Sequence, residues 1–190
     1  SGDASGIVPS SFRILRNLLD RIEDSKTGRI TADVLNVDIP SDRISAAKEA
    51  ANVLGTQVYD KFPWPQGVMP MNSDLAELVL NRTWRPTLSV TGVEGMPRLE
   101  DAGNVLRPYT AVKLSVRIPP TLDPVLASNK LKEILEKDPP YGARIEFDIE
   151  KSSQGWAAPS LVPWLADTVD TASKTWFGTK SAQMGEGGTI

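Results

Sequence analysis

Residues 110–118 carry the sequence TAVKLSVRI, and this stretch decides the fold class of the 190-residue chain. Apolar and polar residues alternate along it, which is the pattern of a β-strand that buries one face and exposes the other. The polar positions are Lys113, Ser115 and Arg117. The apolar positions are Val112, Leu114, Val116 and Ile118. The stretch therefore predicts a strand in a sheet that has one solvated face.

A helix and a second alternating stretch follow this strand. Asp123 and Pro124 form a strong helix start, because an acidic cap precedes a Pro at the first helical position. The DPP sequence at 138–140 ends the helix, and RIEFDIE at 144–150 then alternates again. Strand, helix and strand make a right-handed crossover, with two helices over one face of a mixed or antiparallel sheet. We therefore predict an α+β fold, an open-faced sandwich of ferredoxin-like type.

The remaining periodic segments add elements to this sandwich. Apolar residues at helical spacing predict helices over 10–24 and 41–55, and residues 87–93 predict a strand. Residues 30–39 are only weakly strand-like, because their apolar positions break a clean alternation. Residues 160–177 form one more amphipathic stretch. The prediction is thus a ferredoxin-like sandwich with an extra C-terminal helix.

A proline-rich excursion at residues 56–82 interrupts the regular pattern. FPWP at 62–65 and MPM at 69–71 cannot propagate a helix or strand, because each Pro removes a donor and restricts the preceding residue. Long ordered loops tend to carry function or an interface. A structural flap that buries Trp64 is an equally good interpretation, so both stay open.

A domain boundary is predicted at the QGW sequence of residues 154–156. Residues 1–153, with the excursion, then form one domain, and residues 154–190 are a piece of a second. The GGTI sequence at 187–190 is typical of a turn that enters a strand. We therefore expect the sequence to stop inside an element of that second domain, although a trimmed complete domain is the other interpretation.

The composition excludes several classes of function. The chain has no Cys and no His, which removes disulfides, thiolate sites, a Ser-His-Asp triad and a His-ligated zinc site. A net charge of −3 and a pI near 5.1 argue against a nucleic-acid partner. No apolar run approaches the roughly 20 residues of a membrane span, and nothing marks secretion. We therefore expect a cytoplasmic protein with no membrane partner, whose chemistry rests on carboxylates, Arg, Lys and hydroxyls or on a larger assembly.

Several motifs occur together in a specific order. They are GNVLRP at 103–108, LSVRIPP at 114–120, WRPTL at 84–88, GEGGTI at 185–190 and the opening Ser-Gly pair. In this order and spacing the chain resembles the lid, or dimerisation, domain of the M20 group of di-zinc metallopeptidases. The similarity is greatest to the carnosinase-like dipeptidases of that group, which also contains the acetylornithine deacetylases. The resemblance covers nearly the whole chain and assigns residues 154–190 to the catalytic domain.

The resemblance implies a substrate site. Arg117 matches the family Arg that receives the carboxylate of a peptide-like substrate, and a guanidinium can grip a carboxylate with two charge-assisted hydrogen bonds. Asn104 matches the polar position beside that Arg. Judged from the residues alone, Arg117 also suits the wet face of any strand, and an Asn before a turn is commonly structural. The further positions that match substrate contacts are Glu186, Gly187, Gly188 and Thr189.

The chain also departs from the family pattern. In M20 peptidases two zinc or similar divalent ions are held by His and acidic residues, and a chain without His cannot hold such a site. The lid His of the family would stand immediately before Ser1, and Gly185 stands where the carnosinase-like members often have Arg. We therefore expect no catalytic residue and no metal ligand in this chain, and no activity when it is alone.

Two functions from different classes follow. In the first, the chain is the lid of an M20-like peptidase that hydrolyses dipeptides or N-acyl amino acids, and it forms a homodimer through a sheet edge or its first helix. In the second, it is a free-standing ferredoxin-like module for ligand binding or oligomerisation, since the fold alone does not choose between functions. The glycine-rich tail favours the first, because a free-standing module has no reason to end in a half-strand.

Overall fold

A computed structural model describes residues 2–185 of the chain. The α-helices are α1 (Ser11–Leu19), α2 (Ser41–Leu54), α3 (Gln57–Asp60), α4 (Leu75–Thr83), α5 (Pro124–Glu136) and α6 (Pro163–Phe177). The strands are β1 (Glu23–Asp24), β2 (Arg29–Ile30), β3 (Thr87–Glu94) and β4 (Ala111–Arg117). No helix among the described residues has both the length and the apolar character that a membrane crossing requires. The α+β class is confirmed.

The chain forms two compact units, each assembled from segments that are distant in sequence. Unit 1 comprises Ser1–Asn36, Pro86–Ile118 and Leu122–Ser153. Unit 2 comprises Val37–Arg85, Pro119–Thr121 and Gln154–Ile190. The units change between residues 153 and 154, but they also change at 36/37 and at 85/86, so residues 37–85 of the predicted first domain belong to unit 2. The assignment of residues 1–153 and 154–190 to separate domains of a larger protein stays a prediction.

The β3–β4 ribbon in unit 1 confirms the strand predicted at residues 110–118. The two strands are antiparallel, with Leu88 opposite Val116 and Thr87 opposite Arg117. Exposure alternates along β4 from residue to residue, so the apolar positions lie on the more buried face. The register shifts between Val90 and Gly92, where β3 carries one extra residue. Such a bulge increases the local twist of the ribbon.

The strand predicted at residues 144–150 is wrong, because this segment has no ladder partner among the described residues. It still alternates in exposure, and Ile145 and Phe147 pack against the core of unit 1. The backbone of Phe147 bonds to side chains of α5 instead. Its N–H donates to Glu136 (2.9 Å), and its carbonyl accepts from Lys132 Nζ (2.5 Å). The described sheets are therefore two-stranded and antiparallel, not mixed.

Two other predicted elements are shorter than the sequence pattern indicates. The helix predicted over 10–24 ends at Leu19, and Glu23–Asp24 already pairs with Arg29–Ile30 in a hairpin. The weak strand predicted over 30–39 turns into a 3₁₀ segment at Asp33–Leu35. A side chain accounts for that turn, because the amide of Asn36 donates to the carbonyls of Ile30 and Ala32. Local side-chain bonds of this kind compete with strand pairing.

Large aliphatic side chains fill the core of unit 1. Its fully buried members are Leu18, Ile22, Ile30, Ala32, Leu35, Ala127, Leu131 and Leu135. They come from α1, the β1–β2 hairpin, the 3₁₀ segment that follows the hairpin and α5, and partly buried Leu88 and Val116 pack on them from the ribbon. The guanidinium of Arg21 bonds the carbonyls of Ile134, Lys137 and Asp138. This Arg therefore satisfies carbonyls that the end of a helix leaves open.

The core of unit 2 is smaller and is built mainly from helices α2 and α4. Its fully buried members are Ala47, Ala51, Val58, Val79 and Leu80, and Trp84 and Met184 pack against them. The guanidinium of Arg43 donates to the carbonyl of Ala158 (2.5 Å), which fastens the segment before α6. Helix α6 itself has no fully buried residue. Unit 2 thus has the smaller core and leaves most of helix α6 exposed.

The proline-rich excursion contains α3, most of α4 and an irregular stretch between them. The interpretation that it buries Trp64 is wrong, because this residue is 39% exposed. The indole N–H of Trp64 donates to the carbonyl of Tyr59 (2.8 Å), and the two rings meet edge to face. Met69 and Met71 are also exposed. The excursion therefore presents apolar side chains to solvent.

Candidate functional site

The outer face of β4 carries the one predicted ligand-binding cation. Arg117 is the last residue of the strand and pairs across the ribbon with Thr87. The following Ile118 packs against the core of unit 1, which anchors the strand end. Arg117 itself is exposed and forms no hydrogen bond or ion pair with the residues that the structure describes. A fixed strand end therefore presents a guanidinium whose donors remain available.

Hydroxyl groups occupy the ladder positions next to Arg117. Thr87 stands opposite it, and Ser89 stands opposite Ser115 one step along the same face. The other strand cation, Lys113, is already engaged with Glu150 at 2.5 Å. Arg117 is therefore the cation of β4 that is free to bind an anion. A planar guanidinium beside hydroxyl donors suits a carboxylate or phosphate group.

Asn104 lies elsewhere on the ribbon. It sits, exposed, in the connection between β3 and β4, before the strand that ends at Arg117. The seven residues of β4 rise about 3.3 Å each, so the two ends of the strand are roughly 20 Å apart. The connection therefore enters the ribbon at the end away from Arg117. That Asn104 and Arg117 contact one ligand stays a prediction.

The residues where the β3–β4 connection leaves and rejoins the ribbon are closely packed. Gly95 has a φ of +85°, and a Cβ at this position would lie 2.5 Å from the carbonyl oxygen of Tyr109. The Tyr109 hydroxyl donates to Glu94 (3.1 Å), and this bond and the charge of Glu94 raise the pKa of Tyr109. A hydroxyl–hydroxyl bond of 2.7 Å joins Thr110 to Ser11 of α1. These contacts are not among the predicted ones, because their only local signal in the sequence is Gly95.

The predicted substrate contacts Glu186, Gly187, Gly188 and Thr189 lie outside the described residues. The chain that leads to them is described as far as Gly185. Met184 packs against the core of unit 2, and its Sδ lies 2.9 Å from Nη2 of Arg82. A Cβ at Gly185 would lie 3.6 Å from Cγ2 of Thr83. The end of α4 therefore supports the residues that precede the predicted contacts.

A second set of bonds fixes the chain after α6. The carboxylate of Asp170 accepts from the backbone N–H (3.0 Å) and the hydroxyl (2.9 Å) of Ser181, and Lys174 lies 3.1 Å away. These hydrogen bonds, with the nearby ammonium group, lower the pKa of Asp170. The carboxylate thus ties residue 181 back to the helix. The chain that leads to Met184 is therefore held at Ser181, by Asp170, and at Met184, by Arg82.

The metal chemistry of the site cannot come from the described residues. The whole chain has no His and no Cys. Within residues 2–185 no three acidic side chains are grouped so that they could hold a metal ion. A di-zinc centre normally needs several nitrogen, sulfur or carboxylate ligands around each ion. The residues present do not fit one.

Known proteins resemble this chain in sequence. The sequence pattern of the peptidase dimerisation domain family matches residues 1–143. A cysteinylglycine-S-conjugate dipeptidase from Corynebacterium striatum is 25% identical over 196 residues, which cover 100% of this chain and 40% of that protein. The chain therefore spans less than half the length of this curated relative.

Solved structures share the fold. The crystal structure of human carnosine dipeptidase 1 superposes with a TM-score of 0.61 and 22% identity, over 100% of this chain and 40% of that one. An M20 family metallo-carboxypeptidase from Sulfolobus solfataricus gives a TM-score of 0.59 and 16% identity, over 99% and 48% of the two chains. At these identities the likeness establishes a common fold.

Proposed function

Because the chain belongs to the M20 peptidase dimerisation domain family, we propose that it is the dimerisation and substrate-carboxylate-binding part of a longer metallopeptidase. The parent enzyme hydrolyses the amide bond of a dipeptide or of an N-acyl amino acid. The observation that carries this proposal is the uncommitted, exposed guanidinium of Arg117 at the anchored end of β4. Both substrate classes end in a free carboxylate, which is the group that this side chain can grip.

Residues beyond Arg117 complete the proposed substrate site. Asn104 offers a side-chain amide that can bond the backbone of a peptide substrate. The glycine-rich segment Glu186–Gly187–Gly188–Thr189 offers close backbone approach and polar side chains, as the family resemblance implies. Arg117 would then bind the carboxylate end, while this segment would bind the part of the substrate nearer to the bond that is cleaved.

Residues 154–190 are proposed to belong to the catalytic domain of the parent. The family match ends at residue 143, before this segment begins. Helix α6 supports the proposal, because Trp176 is 80% and Phe177 is 81% exposed at its C-terminal end. Trp164 at its start is also exposed. Large apolar side chains on a helix without buried residues are typical of a surface that another part of the protein covers.

The proposed metal centre lies in the rest of the parent. Two zinc or similar divalent ions would supply Lewis-acid polarisation of the carbonyl and activation of water. This chain has no His or Cys, so its own part is to bind and orient the substrate. We therefore propose that the 190 residues alone show no peptidase activity. A cytoplasmic location of the parent is part of the same proposal, and cell fractionation tests it.

The proposed homodimer forms through the ribbon edge or α1. Val93 on β3 and Phe12 on α1 are apolar and exposed, which suits a contact surface. A twofold axis would pair the same edge of two ribbons and continue the sheet. Light scattering of the purified parent should give twice the monomer mass, and a monomer at all protein concentrations would contradict this part of the proposal.

The carboxylate grip is tested by kinetics of the parent enzyme. Hydrolysis of a dipeptide is compared with hydrolysis of the same dipeptide amidated at its C-terminus, before and after Arg117→Met. We expect the variant to lower kcat/KM for the free acid by about 100-fold or more, since charge-assisted hydrogen bonds contribute about 1.5–3 kcal/mol each. The preference for the acid over the amide should shrink by a similar factor.

Arg144→Met is the matched control, because Arg144 is also an exposed Arg of unit 1 and pairs with Glu146. It should leave the preference for the acid unchanged. If Arg117→Met keeps the wild-type preference, Arg117 is not the carboxylate clamp. A parent that hydrolyses neither dipeptides nor N-acyl amino acids with added zinc, manganese or cobalt would overturn the enzyme proposal itself.

A further inference from the structure

Thr87 faces Arg117 across the last pair of the β3–β4 ribbon. The two residues stand directly opposite each other in the antiparallel register, so their side chains lie on the same face of the ribbon. The Cβ atoms of such a pair are about 4.5–5.5 Å apart, a separation that a long side chain spans easily. Thr87 is therefore the residue of β3 that lies directly beside the proposed carboxylate clamp.

The hydroxyl group of Thr87 is unpaired and accessible. It forms no hydrogen bond with any residue in the part of the chain that the structure describes. Within that part, Nε of Arg82 is the one buried side-chain nitrogen or oxygen without a partner, so the Thr87 hydroxyl is open to solvent. Thr91 on the same strand instead donates its hydroxyl to the carbonyl of Lys113 at 3.3 Å. Thr87 thus keeps a free donor next to a free guanidinium.

The backbone on both sides of the Thr87–Arg117 pair is firmly held. Pro86, directly before Thr87, is buried and has a fixed φ. Ile118, directly after Arg117, packs on the core of unit 1. Thr is also β-branched, so its χ1 angle is restricted and its hydroxyl has few orientations available. Binding of a ligand to this hydroxyl would therefore require little further ordering of the protein.

A single carboxylate can use both groups at once. An ionised carboxylate offers about four acceptor positions on its two oxygens, and a bidentate guanidinium occupies two of them. A neighbouring hydroxyl can donate to a third. The side chain of Arg117 is long enough to lie over its cross-strand neighbour. A carboxylate held by Arg117 can therefore also accept a hydrogen bond from Thr87.

We propose that Thr87 is a second substrate-binding residue, whose hydroxyl donates to the carboxylate that Arg117 grips. This inference rests on the proposed function, because it needs Arg117 to bind the carboxylate end of a dipeptide or an N-acyl amino acid. The bond is made away from the amide that is cleaved, so it is equally strong before and during the reaction. Its loss therefore raises KM and leaves kcat nearly unchanged.

The first experiment compares Thr87→Val with Thr91→Val in the full-length parent, with a dipeptide as the substrate. Val keeps the branched shape of Thr and removes the hydroxyl. Thr87→Val should raise KM about tenfold, as expected for the loss of one hydrogen bond to a charged group, with kcat changed less than twofold. Thr91→Val, on the same strand, should change KM less than twofold. Equal effects of the two substitutions on KM would overturn the proposal.

Thr87→Ser separates the proposed role from a structural one. Ser keeps a hydroxyl but loses the β-branch that favours a strand. If the hydroxyl binds the substrate, Thr87→Ser should keep KM within about threefold of the wild type, and Thr87→Val should be the damaging change. If Thr87 serves the strand alone, Thr87→Val is harmless and Thr87→Ser lowers the melting temperature and the activity together. That reversed order would contradict the proposal.

A double-substitution cycle tests whether the two residues hold the same group. Without Arg117 the carboxylate is no longer fixed beside Thr87, so the two losses should not multiply. Thr87→Val should lower kcat/KM less than threefold in the Arg117→Met background, against about tenfold in the wild-type background. Fully multiplicative losses would show that Thr87 acts elsewhere and would overturn the proposal.

The same measurements separate this inference from the proposed function. A wild-type parent without peptidase activity, or one in which Arg117→Met keeps the preference for a free carboxylate, contradicts the proposed function. A parent in which Arg117→Met removes that preference while Thr87→Val behaves like Thr91→Val contradicts this inference alone.

Discussion

The two units bury their apolar residues in different ways. The core of unit 1 has eight fully buried members, six of them Leu or Ile, whereas the helical core of unit 2 has five, of which two are Ala and one is Leu. Unit 2 leaves Trp164, Trp176 and Phe177 on the surface of α6. Burial of large apolar side chains supplies most of the free energy of folding. Unit 1 thus has the larger aliphatic core, while unit 2 has fewer buried apolar residues and keeps three large aromatic side chains of α6 exposed.

The largest expected effect comes from removing a side chain of the unit 1 core. Leu131 on α5 is 5% exposed and lies in the main cluster. Leu131→Ala should lower the free energy of unfolding by about 3 kcal/mol, within the usual range of about 2–5 kcal/mol for such cavities. Urea titration followed by circular dichroism measures the change.

The matched substitutions are Leu126→Ala and Val79→Ala. Leu126 lies on the same helix but is half exposed, so its loss should cost little. Val79 is buried in unit 2, and its truncation should cost about 1–2 kcal/mol, less than that of Leu131 because fewer methyl groups are lost. If Val79→Ala lowers the free energy of unfolding more than Leu131→Ala does, unit 2 is the more stable unit, and the difference drawn between the two cores is wrong.

A smaller effect is expected where two backbone segments of unit 2 meet. A Cβ at Gly155 would lie 2.6 Å from Cα of Pro120, and Pro120 backbone atoms leave no flexible group to move aside. Gly155→Ala should therefore destabilise unit 2 by about 1–3 kcal/mol, as overpacking does. Thermal melting and tryptophan fluorescence, reported mainly by Trp156 and α6, follow the change.

Gly92→Ala is the control in unit 1. A Cβ at Gly92 would meet Cβ of Lys113 at 3.6 Å, which is an ordinary contact. We expect a change in melting temperature of less than a third of that for Gly155→Ala. Equal shifts would mean that the Pro120–Gly155 approach relaxes freely, and unit 2 would then be more adaptable than its geometry indicates.

Local physics accounts for most of what the sequence predicts correctly. Strand β4 follows from alternation, and α5 follows from its cap, since the Asp123 carboxylate accepts from the N–H of Leu126 at 2.8 Å. Residues 144–150 show the limit. Alternation predicts their extended backbone, but which segment pairs with that backbone depends on long-range contacts. At Phe147 the backbone bonds to side chains of α5 and not to a neighbouring strand.

The candidate site also contains features that a local pattern predicts and features that only long-range contacts determine. The pattern of one strand predicts the outer-face position of Arg117, which the structure confirms. Its role in binding a carboxylate follows from the family resemblance and stays a prediction. Arg82 carries no such signal, because its partner Met184 lies 102 residues away. Asn104 and the Glu186–Thr189 contacts follow from family resemblance, and they stay predictions. Local sequence patterns predict which residues lie on regular elements, while tertiary contacts determine which other residues hold those elements in place.

The smallest predicted effect concerns how acid acts on the two units. In unit 1 the N–H of Phe147 and the ammonium group of Lys132 lower the pKa of Glu136 below its ordinary value of 4.5. In unit 2 the hydroxyl of Ser181 and the ammonium group of Lys174 lower the pKa of Asp170 below 3.8. Folding therefore favours the charged form of both. The stability that each contributes is full above the ordinary pKa and is lost as the pH falls through the lower folded value.

Amide hydrogen exchange of Phe147 and Ser181 reads each contact separately. Between pH 6 and 5 both protection factors should be constant, and below about pH 4 both should fall. Glu136→Gln should remove the acid dependence at Phe147 and leave that at Ser181, because the two carboxylates belong to different units. Glu136→Gln keeps an acceptor for the N–H, so the loss of protection at pH 6 should be small. If Glu136→Gln also lowers protection at Ser181 or removes its acid dependence, the two units unfold as one and the two contacts do not act separately.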